Sequence, residues 1–163
     1  MSDDKGASNN ERLLYAARTD NEDLLLEIFE EPETFDINFK DGLGNTALHY
    51  ASVNGSVNVL EHILSHEDCD VDPQNRLNKS TPLHLALSIS EAELRQYIVE
   101  SLLEAGADTT IQDVKGDTVL DLLGEKDEEL RLAIRRAQAE ADIAQDDIAH
   151  DDDLGSDVAS DSD

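Results

Sequence analysis

Among its 163 residues the chain has one cysteine, Cys69, so no internal disulfide can form and a reducing compartment suits it. It has no run of about 18 apolar residues, the length a helix needs to cross a membrane. Its first residues, Met1-Ser2-Asp3-Asp4-Lys5, offer no apolar core of the kind a secretory signal requires. These absences predict a cytoplasmic or nuclear protein. Two Asn-x-Ser triplets, at Asn54 and Asn78, fit the glycosylation acceptor pattern and carry no meaning in a chain that is not secreted. Positive charge is scarce as well. Twelve Lys and Arg stand against 39 Asp and Glu, a formal net charge of −27. That balance argues against nucleic acid as a partner, because neutralising phosphates supplies most of such affinity.

What the chain does have is internal repetition. Thr46-Ala47-Leu48-His49 returns 35 residues later as Thr81-Pro82-Leu83-His84, and a degenerate copy, Thr118-Val119-Leu120-Asp121, follows after 37 more. Behind each copy come small residues and then an apolar stretch: Ala51, Val59-Leu60 and Ile63-Leu64, then Ala86, Ile98-Val99 and Leu102-Leu103. Gly106-Ala107-Asp108 closes the third stretch. Thirty-five residues before Leu48 lies a divergent first copy, Leu13-Leu14-Tyr15-Ala16-Ala17 with Leu24-Leu25 and Ile28-Phe29.

A period close to 33 residues carrying T-P-L-H resembles the ankyrin repeat. The resemblance implies an all-α solenoid of about four helix-turn-helix units joined by β-hairpin loops. The units fall near residues 11–40, 41–75, 76–112 and 113–140. Residues 1–10 and 141–163 are then a disordered N-terminal segment and an acidic, largely disordered tail. By the same resemblance, His49 and His84 bridge backbone groups between neighbouring units. Local chemistry agrees: Thr46 and Thr81 suit helix N-caps, and Pro82 suits the first helical position. Gly44 and Gly116 suit the turn just before, where Asn78-Lys79 makes the third unit differ. The third unit has four extra residues near Ser90-Glu91-Ala92-Glu93, where Ser90 and Glu93 read as a capping box. Extra residues in the first two units fall at Glu31-Pro32-Glu33 and at Ser65-His66-Glu67-Asp68. Beyond Asp127, apolar residues at Leu130, Ala133, Ile134, Ala137, Ala141 and Ala144 keep helical spacing, which reads as a capping helix.

Candidate chemistry is sparse. His62 and His66, one helical turn apart with Glu61 before them, could touch a metal. The zinc-peptidase spacing fails, however, because Ile63 follows His62 where Glu is required. Gly42-Leu43-Gly44 is too short for a dinucleotide fingerprint. No Ser or Cys nucleophile sits with a His and an orienting acid in a recognised pattern. The chain is therefore read as non-catalytic, with no metal or cofactor.

By resemblance, a partner binds the concave surface lined by loop tips and first helices. The outward positions are Gly42, Leu43, Asn45, Val53 and Asn54, then Leu77, Asn78, Ser80, Ser88 and Ile89. Val114, Lys115 and Asp117 follow in the fourth unit, and Arg18 and Thr19 in the first. Five of these, Leu43, Val53, Leu77, Ile89 and Val114, are branched and apolar, as a binding patch would be. The acidity suggests attraction of a basic protein segment. Small size, acidity and lack of other domains are similar to ankyrin chaperones that escort newly made ribosomal proteins, and a chromatin-type client fits the same charge. The alternative is a small scaffold or regulatory subunit with a non-basic partner. The protein is read as a monomer. Residues 137–163 carry ten acidic groups and no Lys or Arg, with Ser156, Ser160 and Ser162 beside Asp. Ser160, with Asp161 next and Asp163 three on, resembles an acid-directed kinase site.

Overall fold

A computed structural model describes residues 7–161. Seven α-helices follow one another: α1 (Asn9–Thr19), α2 (Glu22–Phe29), α3 (Ala47–Asn54), α4 (Val57–Ser65), α5 (Pro82–Ala86), α6 (Ala92–Glu104) and α7 (Glu128–Asp161). Single 3-10 turns occupy Pro32–Thr34 and Leu120–Leu122. No strand occurs among the described residues, so the loops are hydrogen-bonded turns rather than β-hairpins.

Each of the first three units is a helical pair, and their inner helices pack on one another in order. α3 lies between α1 and α5 in this way. The packing follows from residue size. Alanines at 16, 17, 47, 51 and 86 let inner helices approach closely, while Leu13, Leu48 and Leu83 recur in register and are fully buried. Outer helices contribute Leu25 and Ile28, Leu60 and Ile63, then Ile98 and Leu102. Each such side chain contributes roughly 1.5–3 kcal/mol on burial. The pair α3–α4 turns at Gly55, whose φ of 67° favours glycine. A Cβ there would lie 2.5 Å from Leu94 of the next unit.

Each of the three inner α-helices begins with a capping box. Ser8 and Glu11 form a capping box that starts α1 at Asn9, so the expected disorder of residues 1–10 stops short of that point. Thr46 with His49 and Thr81 with His84 form equivalent boxes, the ring taking the place of the usual carboxylate. In the first of these, His49 Nδ1 accepts the Thr46 N–H at 3.0 Å. Its Nε2 then donates to the Ser80 carbonyl of the next unit at 2.9 Å. His84 repeats the bridge to the Asp117 carbonyl at 3.0 Å. In the fourth unit Asp121 accepts the Thr118 N–H at 2.9 Å but has no second arm to extend the chain of bridges. Its inner helix shrinks to the turn Leu120–Leu122.

The insertion in the third unit resolves differently from its sequence reading. α5 lasts five residues, then N–H groups of Leu87, Ser88 and Ile89 fold back three residues to His84, Leu85 and Ala86. This turn tucks Ile89 into the core, and Arg95 Nη1 holds its carbonyl at 2.8 Å. The chain therefore reaches α6 one residue later than a Ser90 cap requires. Glu91 is the N-cap, without a side-chain bond, so Ser90 and Glu93 form no capping box.

At the C-terminal end α7 covers α6 with Leu130 and Ile134, the capping role read from its spacing. Its helix continues to Asp161, where the sequence reading left residues 141–163 largely without order. The stretch sets four alanines, strong helix formers, among nine aspartates, and holds no proline to stop it. Ser162 and Asp163 lie outside the described residues, as do the side chains of Ser156 and Ser160.

Two stability predictions follow from the bridges. His84→Ala leaves the buried Thr81 N–H without its acceptor and the Asp117 carbonyl with only its bond from the Asp113 N–H, and should cost about 1–3 kcal/mol in urea denaturation. Burial, working against the Ser80 carbonyl that favours the charged ring, holds His49 below its ordinary pKa of 6.5. The unfolded chain then binds that proton more tightly than the folded one. The contribution of His49 is complete above that pH and declines as acid takes the pH below it. Denaturation midpoints at pH 7.5 and 5.5 should differ more for the wild type than for His49→Gln.

Candidate functional site

Each loop tip is closed by one side chain. Asp41 Oδ1 accepts the N–H groups of Leu43 and Asn45, both at 3.0 Å. Asn75 Oδ1 does the same for Asn78 at 3.2 Å and Ser80 at 3.1 Å. Asp113 takes Lys115 at 2.9 Å and Asp117 at 3.0 Å. The turn each one closes needs a left-handed residue, supplied by Gly44 (φ 83°), Lys79 (φ 56°) and Gly116 (φ 85°). Burial raises the Asp41 pKa, but bonds from Tyr50 and the two N–H groups outweigh it and leave the carboxyl below its ordinary value.

The tips are tied to one another. Arg76 N–H donates to the Leu43 carbonyl at 2.9 Å, and Val114 N–H donates to the Asn78 carbonyl at 2.8 Å. Asn75 Nδ2 adds a bond to Asn45 Oδ1 at 3.0 Å. The approach is close: a Cβ on Gly44 would stand 2.5 Å from the Arg76 nitrogen. Three tips thus form one continuous ribbon.

On that ribbon Leu43, Leu77 and Val114 are 57%, 72% and 60% exposed. Gly42, Asn78 and Lys115 are exposed beside them, as are Arg18, Thr19, Asn54 and Ser88 on the inner helices. Val53 sits at the edge of exposure, at 36%. Asn45 and Asp117 are half-buried, and Ser80 is buried with its carbonyl on His49. Ile89, expected at the surface, is only 8% exposed for the reason given above, and leaves the set of outward residues. Sequence reasoning missed Tyr15 and Tyr50. They lie 35 residues apart in the register of Leu13 and Leu48, which was the available signal. Tyr15 is exposed, and the Tyr50 hydroxyl donates to Asp41 while the Arg18 guanidinium lies 5.2 Å from its ring centroid.

The two histidines considered for a metal have separate partners. His62 Nε2 meets Glu22 at 2.8 Å, joining α4 to α2. His66 stands edge-on to the stacked rings of Phe29 and Phe35, with centroids 5.6 and 5.9 Å away. Burial, reinforced by Asp70, pushes the Cys69 thiol up to about 11, which leaves it a poor nucleophile near neutrality. No described helix is long and apolar enough to cross a membrane.

Stacked helical pairs, joined by histidine bridges and displaying a ribbon of loop tips, define a repeat protein whose surfaces serve binding. The family model for ankyrin repeats in three copies matches residues 13–113, and the chain belongs to that family. It is 39% identical over 129 residues to ankyrin repeat-containing protein YGL242C of Saccharomyces cerevisiae, covering 73% of this chain and 71% of that one. It is 38% identical over 77 residues to palmitoyltransferase AKR1 of Lachancea kluyveri, covering 47% of this chain and 10% of that one. Ankyrin repeat and SOCS box protein 6 of Homo sapiens is 36% identical over 92 residues, 56% of this chain and 19% of that one. The match spans about a tenth of the first of these two larger relatives and about a fifth of the second.

The burial difference along the ribbon is directly testable. Replacing Leu43, Leu77 and Val114 together by Ser should leave helix content and melting temperature nearly unchanged. Ile89→Ser alone should cost about 2–4 kcal/mol, the penalty for a cavity plus a buried hydroxyl.

Proposed function

We propose that this chain is a non-catalytic protein-binding module that holds a partner segment against the concave face of loop tips and inner helices. One observation carries the reading: three large apolar side chains stand exposed in a row on backbone that hydrogen bonds hold rigid. Solvated turns gain nothing from such residues, whereas a prearranged apolar row lowers the entropy cost of docking.

The expectation of a basic client, with an escort role for ribosomal or chromatin-type proteins, rests on net charge. That charge has an address. Residues 22–33, 57–68 and 91–104, the outer helices and their ends, carry 13 acidic side chains and a single Arg. Residues 137–163 add ten more acids. A basic partner is therefore complementary to the outer helices and the C-terminal segment, where a field of this sign raises association rates. The escort reading belongs to that side of the molecule, and the apolar row belongs to the other.

Purifying the full-length protein from the cells that make it and identifying its companions tests the module. The Leu43→Ser, Leu77→Ser, Val114→Ser variant should lose its main companions, because buried anchors cost about 2 kcal/mol or more on truncation. Unchanged companions would overturn the assignment of this face. Companions that dissociate between low and high salt in the wild type, and that are basic, would support the escort role.

A further inference from the structure

The loop ribbon and the outer helices have opposite charge balances. The tips at 40–45, 74–79 and 112–117 hold four basic residues, Lys40, Arg76, Lys79 and Lys115, against three acids. Arg18, over the Tyr50 ring, adds a fifth cation beside the first tip. All five are exposed. The ion pairs among the described residues go to Arg12, His62, Arg95 and Arg131, and none to these five. The chain has more than three acids for every base, so five cations on one face with no carboxylate of the described residues within ion-pair distance is not what a mixed surface would give.

The acids of the tips are engaged. Asp41 spends Oδ1 on two N–H groups and Oδ2 on the Tyr50 hydroxyl. Asp113 spends Oδ1 on two N–H groups, and Asp117 is half-buried. These bonds stabilise the ionised carboxylates and occupy their oxygens within the turns, while the ammonium and guanidinium groups face water. The cations also alternate with the apolar row. Leu77 follows Arg76, Val114 precedes Lys115, and the Leu43 carbonyl is bonded to Arg76 N–H.

Accepting the ribbon as the binding face, we infer that it takes an acidic protein segment, whose apolar side chains rest on Leu43, Leu77 and Val114 and whose carboxylates face Arg76, Lys79 and Lys115. Charge complementarity selects this occupant. A basic segment would bring like charges together at each apolar contact, which costs affinity and slows encounter. The same ribbon thus repels the class of partner that the outer helices attract. The two faces sort partners by sign.

Photo-cross-linking of the full-length protein in cells tests this. Benzoylphenylalanine in place of Asn78 leaves the apolar row intact, and the same residue in place of Glu100 reports on the outer face. Cross-linked peptides are then sequenced. The expected result is capture at Asn78 of segments with net negative charge. Arg76→Glu with Lys79→Glu should reduce that yield at least tenfold, and Lys115→Glu on a different loop should reduce it in the same direction. Circular dichroism of these exposed-site variants should match the wild type. Neutral or basic peptides at Asn78, peptides from residues 137–163 of this chain, or nucleic acid would overturn the inference and leave the binding face in place. So would a yield that ignores charge reversal. No capture at Asn78 would overturn both the inference and the reading of the ribbon as the binding face.

Discussion

The bridge from Thr46 through His49 to the Ser80 carbonyl is the contact on which the stack depends. It satisfies the N-terminus of one inner helix and the backbone of the following loop with one ring. That loop is then positioned so that Arg76 N–H reaches Leu43, which joins the tips. Remove the ring and the buried Thr46 N–H loses its acceptor, while the Ser80 carbonyl keeps only its bond from the Asn75 N–H of its own loop, so this tie between the units is gone. Apolar packing supplies most of the free energy, but it is non-directional and tolerates sliding. The imidazole sets the register between units.

Much of this was legible in the residues. The tetrapeptides, the Ala-rich inner helices and the Leu-Leu and Ile-Leu pairs each mark a position whose chemistry is local and repeated. The left-handed site at Lys79 was visible too, as the place where the third unit lacks its glycine. Three things were hidden. Ile89 went inside because an insertion replaced the end of α5 with a tight turn, and its destination depends on space between helices that only the packed molecule defines. The Ser90 cap failed for the same reason. The acceptors that close the tips, Asp41, Asn75 and Asp113, recur at 34 and 38 residues and look like ordinary surface polar residues until their two N–H partners are seen.

Net charge is a coarser guide than the repeat. A value of −27 describes a sum, whereas a partner meets one face. The acids gather on the outer helices, where they face water and cost little. The tips, made of short turns with few free carboxylates, are left with the cations. The candidate face therefore differs in sign from the molecule that carries it, and the position of Tyr50 between Arg18 and Asp41 shows how closely the two signs approach at its edge.

The missing second arm at Asp121 has a consequence for how the chain comes apart. Bridges run from the second unit to the third and from the third to the fourth, and there they end. The last loop is held by His84 from behind and by nothing equivalent in front, and the inner helix that follows it is a single turn. Contacts in such an array are almost all between neighbours, so cohesion is lost one interface at a time. The first unit sends no histidine bridge to the second either, so opening can start at either end and reaches the two bridged interfaces last. A partner gripping Leu43, Leu77 and Val114 would span both bridged interfaces at once, a clamp laid over the same seams that the imidazoles close.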